Sequence, residues 1–205
     1  MPLMERLPMV FDTALLPAGD AGPVLEEQLA RFEDAGGRLV LVLAASPAPD
    51  LNHIPWLLEA WEKWVVRGNL LACALFAGGP DLITFARMRQ AAAWLAARMY
   101  PGMIWMPGDQ TCPDPSEWQR LLEAADRHQR QLVYPDRDGQ RGSPLVMGAD
   151  LLGTIAAAAG DHADLDYMVA ALRPDQIEAV PRPAGPDRRM RRPAPGLPRQ
   201  QNRKE

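Results

Sequence analysis

The chain has 205 residues, 47% of them hydrophobic and 23% charged, with a net charge of −4. That is enough to build one sizeable core, so one domain plus a tail is expected. Its apolar runs, such as residues 39–45 and 70–77, fall far short of the roughly 20 residues that a membrane-spanning helix needs. Residues 1–11 carry Pro2, Glu5 and Pro8 and lack the long apolar core of a signal peptide, so a cytoplasmic protein with no membrane attachment is expected. Cys73 lies inside an apolar run and Cys112 in a loop, which reads as reduced thiols and not as a disulfide scaffold. His53, His128 and His162 are scattered, and no Cys/His cluster has zinc spacing.

Residues 1–22 contain Pro2, Pro8, Pro17, Gly19 and Gly22, and Met9-Val10-Phe11 is too short to read as a strand by itself. Pro23 opens a helix with Leu25, Leu29 and Phe32 at helical spacing, and Gly36-Gly37 stops it. Residues 38–44 form a continuous apolar run, the pattern of a strand covered on both faces. Pro55 starts a second helix in which Trp56, Trp61 and Trp64 make a packing stripe. Residues 70–76 are the next strand. A third helix carries Phe85, Met88, Ala92, Leu95 and Met99 on one face.

Residues 103–106 then form a strand that runs into Pro107-Gly108-Asp109-Gln110. The helix after it is strongly marked, with Asp114 at the N-cap, Pro115 at the first helical position and Glu117 closing a capping box. Asp109 is therefore expected just past the carboxyl end of a buried strand, in the loop before a helix. Ligands of open α/β sheets bind along that edge. A lone carboxylate there suits Mg²⁺ when substrate phosphates supply the other oxygens. Residues 132–134 are a short strand, 136–142 a polar turn and 144–147 an extended piece. Helices over 149–159 and 165–172 and a last strand over 177–180 follow. Strands and helices alternate, which predicts a mostly parallel sheet with helices on both faces.

Charge is unevenly placed. Residues 181–205 hold eight basic side chains, Asp187 and Glu205, and six prolines. Subtracting them from the totals of 22 basic and 26 acidic residues leaves 14 and 24 in residues 1–180, so the body is about −10 and the tail about +6. The prolines exclude a helix or a central strand from the tail, which reads as disordered.

Several of these segments, in their order and spacing, resemble the molybdenum cofactor guanylyltransferase and cytidylyltransferase family, the MobA-like NTP transferases. Thr13-Ala14-Leu15-Leu16-Pro17, Gly19 and Pro23-Val24-Leu25-Glu26 are similar to the segment that follows that family's phosphate loop. Met106-Pro107-Gly108-Asp109-Gln110 is similar to its metal-binding Gly-Asp motif. Residues 133–135 and 138–146 resemble its substrate-side segment, and Gly160-Asp161 falls where the family often has Gly-Asp. The resemblance implies a three-layer, Rossmann-like nucleotidyltransferase fold over residues 1–180, with Asp109 as the metal residue. It also implies substrate contacts from Gly108, Gln110, Gly142, Ser143 and Pro144. Such enzymes transfer a nucleoside monophosphate from a nucleoside triphosphate to a phosphorylated acceptor, with Mg²⁺ offsetting the growing charge.

The chain departs from that pattern. Family members begin with a strand leading into a glycine-rich loop with an Arg, then a Lys. Here residues 5–12 contain no glycine, and Thr13 stands in place of the Lys. Ser143 stands where a His is common, and residues 162–166 carry two extra carboxylates, Asp164 and Asp166. Transition-state charge contacts are worth about 3–4 kcal/mol each, so losing the loop and its Lys together costs on the order of four to six powers of ten in rate. The resulting expectation is a degenerate, non-catalytic relative that binds a nucleotide or pterin-type ligand, or a protein partner in molybdoenzyme maturation. The alternative is an active, Mg-dependent nucleotidyltransferase gripping its triphosphate through Arg6, Arg87 or the tail arginines. A third reading is a nucleic-acid-associated protein acting through the tail.

Overall fold

A computed structural model describes residues 6–13, 21–37, 39–46, 70–77, 84–110, 112–127, 130–137, 139–158 and 164–181. In chain order the elements are β1 (Met9–Asp12), α1 (Ala21–Asp34), β2 (Val40–Ser46), β3 (Leu70–Ala77), α2 (Thr84–Ala96) and β4 (Gly102–Pro107). Then come α3 (Pro115–Arg127), β5 (Leu132–Arg137), β6 (Gln140–Arg141), β7 (Leu145–Gly148), α4 (Ala149–Ala157), α5 (Leu165–Ala170), a 3-10 turn at Pro174–Gln176 and β8 (Ile177–Pro181). The helix expected from Pro55, the Gly160-Asp161 break and the basic tail from residue 182 onward lie outside the described residues.

The strands form one sheet in the order β3-β2-β1-β4-β7-β5. β3, β2, β1 and β4 are parallel neighbours, β7 runs antiparallel between β4 and β5, and β8 is parallel to β5. Asp136 of β5 pairs with both Arg141 of β6 and Pro181 of β8, so those two strands occupy opposite edges of β5. The sheet is mostly parallel, as the alternation of elements predicts.

Helices cover both faces, giving three layers. Alternate residues of the central strands point opposite ways. Met9, Phe11, Val42, Ile104 and Met106 pack under α1 and α3, against Leu25, Leu29, Phe32, Trp118 and Leu121. Val10, Leu41, Leu43, Met103 and Trp105 pack under α2 and α4, against Phe85, Met88, Leu95, Leu151 and Ile155. The rings of Phe32 and Trp118 meet edge to face at 5.6 Å and join α1 to α3, a contact worth about 0.5–1.5 kcal/mol beyond its burial.

Two expectations are corrected. Met9-Val10-Phe11 is a strand after all, and it lies in the middle of the sheet, wholly buried between β2 and β4. Four residues suffice because both edges and both faces are covered, so neither length nor alternation signals the strand locally. Residues 9–12 are thus not the counterpart of a phosphate loop. Only Thr13–Asp20 separates β1 from α1.

The second correction is Met99, which does not extend the buried face of α2. It sits past the helix end with φ 57° and is 90% exposed. The Tyr100 N–H donates to Leu95 C=O and the Met99 N–H to Ala96 C=O, the paired bonds of a helix-terminating motif whose left-handed residue is usually glycine. Gly36 plays the same part after α1, with Gly37 N–H donating to Phe32 C=O and Gly36 N–H to Glu33 C=O.

Candidate functional site

Parallel strands bring the carboxyl ends of β1, β2 and β4 to one rim. Asp12, the last residue of β1, is in register with Pro107, the last residue of β4. The Gly108 N–H donates to the Asp12 carbonyl at 2.7 Å, and the Thr13 N–H donates to the Leu43 carbonyl at 2.9 Å. These two amides at the rim are thereby tied into the sheet and do not face a ligand. Asp109 and Gln110 follow as exposed residues of a turn closed by the Gln110 N–H on the Pro107 carbonyl at 3.1 Å.

Helix α1 holds that loop from behind. Gln28 Nε2–H donates to the Gln110 carbonyl at 2.9 Å, and Arg31 Nη1–H donates to the Cys112 carbonyl at 3.3 Å. Gln28 is 2% exposed, although it shares the apolar stripe of α1 with Leu25, Leu29 and Phe32. Cys112 is buried beneath the loop, where Trp118 Nε1–H donates to its sulfur at 3.3 Å. Burial pushes the Cys112 thiol up to about 11. Asp114 then caps α3, its carboxylate accepting from the Glu117 N–H at 2.9 Å and from the Ser116 hydroxyl at 2.7 Å. Those two bonds hold the Asp114 carboxyl below its ordinary value.

The second expected segment reaches the same rim. Antiparallel pairing of Trp105 with Leu145 sets the end of β4 beside the start of β7, so residues 108–110 and 142–144 leave the sheet together. Gly142 N–H donates to the Pro135 carbonyl at 2.9 Å, and a Cβ at that position would lie 2.8 Å from the same oxygen. The close approach requires glycine there. Ser143 is half-buried and Pro144 buried. Arg141, on the hairpin, is ion-paired with Asp166.

The charge at the centre of the rim was not legible as a site. Asp12 and Arg87 are each 1% exposed, and Arg87 Nε lies 2.9 and 3.1 Å from the two Asp12 carboxylate oxygens. Arg87 Nη2 also donates to Thr84 Oγ1 at 3.3 Å. An arginine in the buried stripe of α2 is the signal that could have found it, because a buried guanidinium requires an acidic partner. Arg87 is thus committed to Asp12, which removes it from the residues expected to reach out to a triphosphate.

Asp109 is a second carboxylate among the described residues of this edge. It is exposed, and among the described residues no cation pairs with it. Nor do the described residues include a group of three or more His, Cys, Asp or Glu side chains able to hold a metal. A single carboxylate fits Mg²⁺ only where a ligand's own oxygens complete the octahedron.

A three-layer sheet whose loops converge on the carboxyl ends of β1 and β4 defines an α/β domain of the nucleotidyltransferase type. The chain belongs to the MobA-like NTP transferase domain family, which it matches over residues 6–177. No curated protein matches the sequence. Among solved structures, the fold is similar to 4-diphosphocytidyl-2C-methyl-D-erythritol synthase from Anaerococcus prevotii (TM-score 0.61, 11% identity, 87% of this chain and 88% of that one). It is also similar to Rv0371c from Mycobacterium tuberculosis in complex with manganese (TM-score 0.57, 17% identity, 87% and 89% covered). The homologue of that protein from Mycobacterium sp. strain JC1 matches as well (TM-score 0.57, 16% identity, 89% and 87% covered). Among the described residues, no helix is long and apolar enough to cross a membrane.

Proposed function

We propose that this member of the family is a non-catalytic relative that binds a ligand or partner at the rim carrying Asp109. One observation carries the reading: a buried carboxylate, Asp12, ends the central strand where polyphosphate would need amide donors and positive charge. The Arg87 guanidinium beside it is neutralised from within. Among the described residues, the rim amides of Thr13 and Gly108 are bonded within the sheet, which leaves a cation on Asp109 as the hold on a triphosphate.

The ligand proposed for residues 108–110 and 142–144 is of the nucleotide or pterin type, following the family resemblance. The protein partner proposed is one of molybdoenzyme maturation, with the basic tail as the contact. Calorimetric titration with Mg-GTP and Mg-CTP, together with a pyrophosphate-release assay on phosphorylated acceptors, tests the reading. No turnover is expected; micromolar nucleotide binding accompanied by turnover overturns it.

The exposed, unshared Asp109 carboxylate favours a second reading, an active nucleotidyltransferase that takes its metal together with the nucleotide. Rv0371c was solved in complex with manganese, so Mn²⁺ is the natural probe. Under this reading Asp109→Ala abolishes nucleotide-dependent Mn²⁺ binding and turnover. Unchanged activity in that variant removes Asp109 from the mechanism.

A further inference from the structure

The turn that carries Asp109 is pinned at both ends. At its entry the Gly108 N–H donates to the Asp12 carbonyl at 2.7 Å, and at its exit the Gln110 carbonyl accepts from Gln28 Nε2–H at 2.9 Å. The Gln110 N–H, bonded to the Pro107 carbonyl at 3.1 Å, closes the turn between them. Gln28 is an unusual residue for that exit. It lies buried on the α1 stripe of Leu25, Leu29 and Phe32, and its Oε1 has no hydrogen-bond partner among the described residues. A buried acceptor left unpaired is costly, and a leucine there would continue the apolar stripe without that cost. Stability therefore does not account for this glutamine, and such departures from local consistency mark functional positions.

We infer that Gln28 is a positioning residue for Asp109. From the buried face of α1 it fixes the turn, so that the Asp109 carboxylate meets a divalent cation carried by a polyphosphate ligand in one geometry. This rests on the cation at Asp109 that both readings of the rim share. A magnesium-like cation demands near-ideal octahedral ligand placement. A lone carboxylate on an exposed turn meets that demand only when the backbone beneath it is held. Groups bonded behind a metal ligand set its orientation and, through it, the metal affinity. Arg31 of α1 supports the same loop through the Cys112 carbonyl at 3.3 Å, but it is partly exposed and also paired with Glu27. Gln28 is the better fixed of the two holds.

The test separates affinity from stability. Binding of Mn–GTP and Mn–CTP is titrated by water-proton relaxation for wild type, Gln28→Leu and Asp109→Ala, and thermal midpoints are taken on the same samples. Gln28→Leu is expected to keep its midpoint within about 4 °C of wild type. Its Kd for the Mn–nucleotide rises about tenfold, and amide exchange at Gln110 speeds up by a similar factor. Gln28→Met, which keeps the unbranched stem and lacks the donor, is the second arm if the leucine variant does not fold, and the same rise is expected. A lowered midpoint with an unchanged Kd makes Gln28 a packing residue and overturns the inference. So does an unchanged Gln110 exchange rate. Those outcomes leave the rim reading intact as long as Asp109→Ala loses the Mn–nucleotide. Wild type that binds no Mn–nucleotide, or Asp109→Ala that binds it equally well, defeats the cation at the rim and the inference with it.

Discussion

Asp12 and Arg87, 75 residues apart in sequence, meet at 2.9 Å with both side chains withdrawn from solvent, joining the end of the central strand to the first turns of α2. Removing either charge takes from the other its 2.9 Å partner inside the fold. Asp12→Asn and Arg87→Met are each expected to cost about 3–5 kcal/mol of stability, and the double variant less than their sum. Urea unfolding of the four proteins checks this. Additive losses would show that the two charges do not depend on one another.

The loop of Asp109 is held against α3 by its cap. Asp114→Ala should cost about 1 kcal/mol through the lost bond to the Glu117 N–H. The Asp114 carboxyl titrates below its ordinary value of 3.8. Its stabilisation is therefore present above that value and is lost as pH falls through the lower, folded-state value. The difference in urea midpoint between wild type and Asp114→Ala should shrink on acidification. A gap that stays constant into strong acid would count against the cap.

Cys112 has an ordinary thiol value of 9.0 that burial lifts to about 11. The native thiol stays neutral while the unfolded one ionises, so this group's contribution falls as pH rises from 9.0 to about 11. In a Cys73→Ala background, a thiol reagent at pH 8 should label Cys112 only after denaturation. Rapid labelling of the native protein would contradict its burial.

Met99 occupies a left-handed position that favours glycine and exposes its side chain. Met99→Gly should stabilise the protein by about 0.5–1 kcal/mol, since the strain relieved exceeds the backbone entropy that glycine adds to the unfolded chain. A lowered thermal midpoint would show that the side chain makes a contact worth more than the strain.

Gln28 uses its amide N–H on the Gln110 carbonyl, while its Oε1 is buried with no hydrogen-bond partner among the described residues. Gln28→Leu should stay within about 1 kcal/mol of wild type, because it removes that orphaned acceptor together with the donor. Gln28→Glu should cost about 3 kcal/mol or more at neutral pH, by burying a charge against a carbonyl. Equal stabilities of the two variants would place the site in contact with water.

Local signals account for most of the architecture. The runs at 38–44 and 70–76, the Gly36-Gly37 stop and the Asp114-Pro115 start each carry their information within a few residues, and the corresponding elements stand where those signals put them. So does the loop of Asp109, because an apolar strand ending in Pro-Gly before a capped helix has one way to continue. The substrate-side residues 142–144 were named from a family resemblance, and only the pairing of β4 with β7 places them beside 108–110.

What the sequence determined by itself was therefore the succession of strands and helices and the edge at which Asp109 emerges, since hydrophobic period and capping act over one turn or one strand. The tertiary structure alone decided that Met9–Asp12 is the central strand, that Arg87 of α2 answers Asp12 on one face of the sheet, and that Met99 turns out to solvent. Each of those depends on neighbours distant in the chain. Four apolar residues become a core strand only between β2 and β4, and a buried charge is tolerable only where the fold brings its opposite.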